Sequence, residues 1–467
     1  MLKSLPIVRV RRQYNRWVSD QTVEDYALRF TADRARRWSP FRVGNTAMGA
    51  ISFLACEAIG ASITLAYGFT NAMAAIALVS LLVLATGLPI AYYAAKFGVD
   101  MDLLTRGGGF GYIGSTFTSL IYAGFTFILL ALEAAIMSEA LTLCLDIPLW
   151  LSHMISALIV LPIAIHGIRK ISWMQVWTQP IWLVLQLSPL AFVMLAEPGE
   201  LSGWTSLAGL HAPEGWFSLL AFGLATSVLL SLLPQIGEQV DYLRFLPDRK
   251  RAGKAGWWSA MLIAGPGWIF IGGAKLIAGS LLGYAAMQAG MSALDAATPT
   301  AMYRMVFERL VSSPGLALAL TVVFIVVCQA KINVTNAYAG SIAWSNFFSR
   351  LTHSHPGRVV WLVFNVMPAL MLMEMGIFGV IESILGIYAN LAVAWVGALT
   401  ADLLVNKRMG WSPPRIEFRR AHLGCAGGAA GALCQRHYRH AHRACFRRAD
   451  GSLRPEGERD PPVRGGS

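Results

Sequence analysis

The chain has 467 residues, of which 55% are apolar and only 14% charged, against about 25% charged in soluble globular domains. Its mean hydropathy of +0.53, with apolar residues gathered into runs of about 20 rather than alternating ten-residue segments, excludes a soluble domain and a β-barrel and leaves a bundle of membrane-spanning helices. The net charge of +12 lies mostly in the arm and loops, where membrane topology and contact with anionic lipid explain it without nucleic acid as a partner.

The first 42 residues form a basic arm that includes Lys3, Arg9, Arg11, Arg12, Arg16 and Arg29. No short apolar run with a small-residue cleavage site precedes the first span, so no removable signal peptide is expected. Ten spans are predicted within a core of residues 43–406. They fall near 43–66, 71–95, 113–144, 149–166, 173–195, 216–237, 256–284, 315–345, 359–374 and 377–404. Lys96 and Arg106, Arg169 and Lys170, Arg244 through Lys254, and Arg350 and Arg358 all fall in even-numbered loops. That pattern places both termini in the cytoplasm of a protein of the cell (inner) membrane. Arg304 and Arg309, in the loop after the seventh span, depart from it.

Charges at bilayer depth are costly and mark candidate functional positions. The first span carries Glu57, followed by Gly60-Ala61-Ser62 and Thr64. The third carries Phe125, Thr126 and Phe127, then Glu133 and Glu139. The sixth ends in Pro234-Gln235-Ile236-Gly237, the seventh holds Lys275, and the eighth holds Gln329, Lys331, Asn333 and Asn336. Small or Pro-containing clusters in spans 1 and 6, equivalent members of two five-helix halves, suggest broken helices in an inverted repeat. Gln329, Asn333 and Asn336 share one helical face. Their amides offer donors and acceptors to the edge of a small heterocycle, while interhelical hydrogen bonding is the competing reading. Glu57 and Lys331 are expected to pair, either fixing helix register or serving a coupling ion or proton. Glu139 and Lys275 are expected nearer the interface, within reach of it by snorkelling. No phosphate loop, nucleophile elbow or paired catalytic carboxylates are present, so no enzyme activity and no cofactor are expected.

Beyond the core, residues 407–467 form a basic tail. From about 421 it is rich in Arg, His, Gly, Ala and Pro, and holds three of the six Cys and four of the nine His. His422, Cys425, Cys434 and His437 lack a CxxC or HxxxH pair, so a disordered tail is expected rather than a zinc site. Its composition is also that of a GC-rich coding region read out of frame.

Three motifs carry a family resemblance over roughly residues 40–410. They are Leu103-Leu104-Thr105-Arg106 with Phe110-Gly111 and Gly114, then Asp241-Tyr242-Leu243-Arg244-Phe245, then Asn336-Ala337-Tyr338 with Ser345-Asn346. On these the chain resembles the nucleobase–cation symporters of the purine–cytosine and allantoin–hydantoin permease type. The resemblance implies an all-α fold of two inverted five-helix repeats with spans 1 and 6 broken. A planar nitrogen heterocycle would be held among spans 1, 3, 6 and 8, through Gly60, Ser62, Phe125, Thr126, Gln235, Asn333 and Asn336. The coupling position would fall to Glu57 and Lys331. Two departures stand out. Leu129 falls where a stacking Trp is usual, and Ala330-Lys331 fall where sodium-coupled members carry small or hydroxyl residues. A Lys ammonium there would stand in for sodium and make cycling sodium-independent or proton-linked. The competing function is a transporter-like sensor whose signalling domain is missing.

Overall fold

The computed structural model describes residues 30–31, 36–352, 356–376, 381–413 and 416. Most of the 1–42 arm and the whole of the tail from 417 lie outside the described residues, and so do the expectations that fall on them. What is described is an α-helical bundle. Among the described residues, seven helices are long and apolar enough to cross a membrane, and a bent pair makes an eighth. Leu149–Ile165, a shorter apolar helix, and Arg358–Glu374, of 17 residues, fall where the fourth and ninth spans are expected from the sequence. Five passes per half is an odd number, so the second half runs through the bilayer in the opposite sense to the first.

Span 1 starts at Pro40, whose fixed φ suits a first turn. The Ser39 hydroxyl accepts from the Arg42 N–H at 3.2 Å. The span runs as Pro40–Ser52 and Ala55–Tyr67, bent by 47° between them. The break therefore lies at Phe53–Leu54, and the expected break at Gly60-Ala61-Ser62 is corrected. That trio sits inside a continuous helix because its small residues serve another purpose. Span 7 crosses so close that a Cβ on Gly60 would meet the Leu276 carbonyl, and one on Gly279 would meet the backbone of Glu57. Such small-residue contacts let two helices approach to backbone distance. Gly60→Ala should cost about 1–3 kcal/mol through forced separation of spans 1 and 7. It would be read as a lowered unfolding temperature of the purified protein, and an unchanged value would discount the contact.

Spans 2 and 3 run over Phe69–Phe97 and Met101–Leu145. Span 3 begins with a glycine turn in which Gly109 takes a φ of +96°, a conformation side chains resist. Span 4 is Leu149–Ile165, and span 5, Ile168–Ala196, exposes Trp173, Trp177 and Leu195 on the apolar exterior. Span 6, Leu219–Leu243, is interrupted by a turn at residues 231–234 and resumes as helix at Gln235. That agrees with the expected position. Span 7 is also interrupted, at Gly265-Pro266-Gly267 between Lys254–Ala264 and Trp268–Gln288, where the sequence suggests one unbroken segment. Proline there lacks the N–H that would carry the helix through. Span 8, Pro314–Leu351, packs along span 3 through the middle of the bundle. Span 10 is Ile381–Ala401.

Candidate functional site

Where span 1 restarts, the backbone N–H groups of Leu54 and Ala55 have no carbonyl one turn back. Glu133 of span 3 answers them, its two carboxylate oxygens accepting at 3.1 and 3.2 Å. A carboxylate at a helix N-terminus meets both the orphan donors and the positive end of the helix dipole. Glu133 is fully buried, and Gln329 of span 8 lies beside it. Where span 6 restarts, Gln235 donates through Nε2 to Glu238 Oε2 at 2.9 Å, and Glu238 is within electrostatic reach of Glu133. The two breaks and span 3 thus meet around buried carboxylates.

The amides of Asn333 and Asn336 are buried with no hydrogen-bond partner among the described residues, as is that of Gln239 of span 6, while buried Gln329 lies against Glu133. Each unpartnered buried polar group costs about 1–3 kcal/mol. Interhelical hydrogen bonding, the competing reading for this face, has no partner atom in place for Asn333 or Asn336 among the described residues. Ser62 lines a cavity of about 220 Å³ with Ala58 and Ile59 of span 1, Glu139 of span 3, Val228 of span 6 and Leu385 of span 10. A second cavity of about 560 Å³ shares Glu139, Asp295 and Thr298 with it and leads outward. Both open at the end of the bundle opposite the one where the chain enters span 1.

Other predicted residues have structural duties. Gly60 is the contact point with span 7. Phe125 stacks on Tyr388 of span 10 at 6.4 Å between ring centroids. Thr126 bonds the Ala123 carbonyl at 2.8 Å and lies 3.4 Å from Asn365 Oδ1 of span 9. Gln235 stands at the span 6 break, bonded to Glu238, while Gly60, Phe125 and Thr126 are held by their own neighbours.

The expected Glu57–Lys331 pair does not form. Glu57 takes Lys275 instead, Nζ to Oε1 at 2.6 Å, and the same ammonium bonds Gln186 Oε1 at 3.1 Å and the Ser52 carbonyl at the span 1 break at 3.3 Å. The close crossing of spans 1 and 7 delivers Lys275 to Glu57. Lys275 is thus buried at 3% exposure rather than snorkelling to an interface. Lys331 turns to span 5, donating to the Gln175 carbonyl, Thr178 Oγ1 and Gln179 Oε1 at 2.9–3.1 Å. Trp182 stands between the two ammoniums, its ring 6.0 Å from Lys275 Nζ and 5.8 Å from Lys331 Nζ.

The three resemblance motifs converge at the end where the chain enters span 1. Arg350 of span 8 pairs with Asp102 and donates to Ser115 Oγ at 2.7 Å, and Ser119 Oγ donates to the same Asp102 at 2.8 Å. Arg244 reaches Tyr338 Oη at 3.0 Å and lies 3.5 Å from Asp241, which also accepts from Tyr122 Oη at 3.3 Å. Asn346 donates to Asp100 at 3.1 Å. These buried contacts tie spans 3, 6 and 8 together below the amide cluster. These contacts pack that end closely, while the two cavities lie toward the other.

Glu133 is legible as a membrane-depth carboxylate, but its role as a helix cap is not. Glu238 escapes a sequence reading because it stands near the end of span 6. The signal that marks it is a charged residue one turn beyond Pro234.

The bundle with these two breaks shares its fold with solved membrane transporters. No protein-family model matches the chain, and no curated protein matches it in sequence. Among solved structures it is similar to Mhp1, a nucleobase-cation-symport-1 family transporter, in a closed conformation with bromovinylhydantoin bound. That match has 16% identity and a TM-score of 0.58, covering 84% of this chain and 82% of that one. The inward-facing conformation of Mhp1 gives 19% identity and a TM-score of 0.60 over 82% of this chain and 80% of that one. A Na+-coupled sialic acid symporter in a substrate-bound outward-open state gives 13% and 0.54 over 84% and 83%. At these identities the likeness establishes the fold, and the resemblance read from the sequence is met at that level.

Proposed function

We propose that the chain is a secondary active transporter, a divergent member of the nucleobase–cation symport family. It moves a small planar nitrogen heterocycle, nucleobase-like or allantoin/hydantoin-like, across the cell membrane by alternating access, with both termini cytoplasmic. The observation that carries this is the meeting of two helix breaks with the unpartnered amides of span 8. Broken helices free backbone groups near mid-membrane, where this architecture binds solutes. The arrangement also has a sealed end and a hollow end, which alternating access requires in opposite states.

The coupling reading is revised by geometry. Lys331 holds its side-chain nitrogen against span 5 oxygens, at the position where the resemblance places cation-binding side chains. Glu57 and Lys275 supply a second pair at the span 1 break. Cycling is sodium-independent or proton-linked on this reading. The test is uptake of labelled cytosine, uracil, hypoxanthine, allantoin and hydantoin into vesicles, with sodium and proton gradients imposed separately. Proton-driven accumulation is the expected outcome, and sodium dependence would remove Lys331 as a sodium substitute. Binding by correctly inserted protein without accumulation would favour a sensor. Lys331→Ala should lower proton-driven uptake by about tenfold or more, in line with losing hydrogen bonds to a charged group. Unchanged activity, stability and ion dependence would refute its role.

A further inference from the structure

We infer that the solute carries a positive charge on its ring system, an amidinium-type edge held between the carboxylates of Glu133 and Glu238. This rests on the transport-site reading above and names its substrate class. A carboxylate buried in an apolar interior is tolerated when a cation or several hydrogen bonds meet it. Glu57 with Lys275, Asp102 with Arg350, Asp241 with Arg244 and Asp402 with Lys407 follow that rule with a basic partner, and buried Asp100 follows it with hydrogen bonds from the Leu103 N–H and Asn346. Glu133 has only the two N–H groups of the span 1 cap and Gln329, and Glu238 only Gln235. Among the described residues neither has an ion pair, and Glu238 Oε1 has no hydrogen-bond partner at all. Lys275 reaches Glu133 only through space, because its ammonium is already bonded to Glu57 and Gln186.

The surroundings fit a ring with several N–H donors. Gln329, beside Glu133, shares a helical face with Asn333 and Asn336, so that face carries unpartnered amides onward from Glu133. An amidinium offers two parallel N–H donors to a carboxylate, the geometry that makes charge-assisted pairs strong and directional. The approach is acidic as well. Glu139 stands six residues beyond Glu133 on span 3, about 9 Å along the helix, and lines the outer cavities together with Asp295. Arg304 in the outer cavity is paired with Glu308 at 2.8 Å. The inner cavity touches Ala58, one turn past the Glu133-capped Ala55. A low-dielectric cleft lined by one sign of charge concentrates the opposite sign at its mouth.

The test compares two rings of one shape. 2-Aminoimidazole is protonated at neutral pH and presents an amidinium edge, whereas 2-imidazolone replaces the amino group by oxygen and is neutral. Binding is measured by thermal stabilisation and by competition for uptake with the full chain in detergent or vesicles. The expected result is tighter binding of the cation by about 10–100-fold. That preference should be lost in Glu133→Gln and in Glu238→Gln, while binding of the neutral ring persists. Glu238→Gln keeps an acceptor for Gln235 and stands in if Glu133→Gln, which weakens the cap on span 1, does not fold. Equal or tighter binding of the neutral ring by the wild-type chain overturns the inference and leaves heterocycle transport standing. Retention of the preference in both Gln variants also overturns it. Binding of neither ring, with uptake of no member of the heterocycle panel, overturns it together with the reading on which it rests.

Discussion

Lys275→Met should leave little folded protein, whereas Lys275→Met combined with Glu57→Leu should recover much of it. The ammonium and carboxylate are 2.6 Å apart with side chains at 4% and 0% exposure. Removing one partner of a buried pair strands the other charge at a cost of about 3–5 kcal/mol, while replacing both with apolar side chains is often neutral. Few single changes cost more, since whole domains are stable by only about 5–15 kcal/mol. Glu57 would retain Gln186, whose Nε2 lies 3.1 Å from Oε1, and Tyr303 at 3.3 Å, so the loss should fall short of the charge's full desolvation. The measurement is the monodisperse fraction and unfolding temperature in detergent for the two single variants and the double. Additive effects, with the double variant worse than either single, would show that the two residues do not act as a pair.

The second large effect is expected at the sealed end. Arg350→Leu removes the cation that holds Asp102, together with donors to Ser115 and Thr116, and so frees span 8 from the start of span 3. These contacts belong to the closed end, and opening that end must break them. Leaving Asp102 buried without its partner therefore penalises one conformation by about 3–5 kcal/mol and the opened one by much less. That bias shifts the population by a factor on the order of a hundred or more toward opening at this end. A single cysteine at Thr118, buried in the sealed state, would report it in a background lacking other accessible cysteines. Labelling by a membrane-impermeant maleimide added from that side should rise sharply in Arg350→Leu. Asp102→Leu added to it should return part of the protection. Labelling that stays at the wild-type level would mean that the seal rests on Asp241, Arg244 and Tyr338 instead.

Both predictions concern ion pairs, and neither pairing follows from one-dimensional reading. Glu57 and Lys331 are the charges a sequence places deepest, so pairing them is the economical guess. The fold instead brings span 7 against span 1 at glycine distance and turns Lys331 to span 5. The consequence for coupling is physical. Two ammoniums on either side of Trp182 replace one ion pair, and the unpaired acids move to Glu133 and Glu238, beside the amides.

By itself the sequence determined the membrane class, the break in span 6 and the polar face of span 8. Each of these follows from local chemistry: run length against bilayer thickness, proline without an N–H, and amides repeating at helical spacing. Tertiary structure alone decided that span 1 breaks at Phe53–Leu54, because the stabilising carboxylate comes from Glu133, 78 residues away from Ala55. It also decided which small residues pack and which line a cavity, since Gly60 and Ser62 look alike in a sequence but meet Leu276 and a cavity respectively. The physical reason is common to both. In an apolar medium every polar group must find a partner within the bundle, and which helix supplies that partner is a property of how the helices cross.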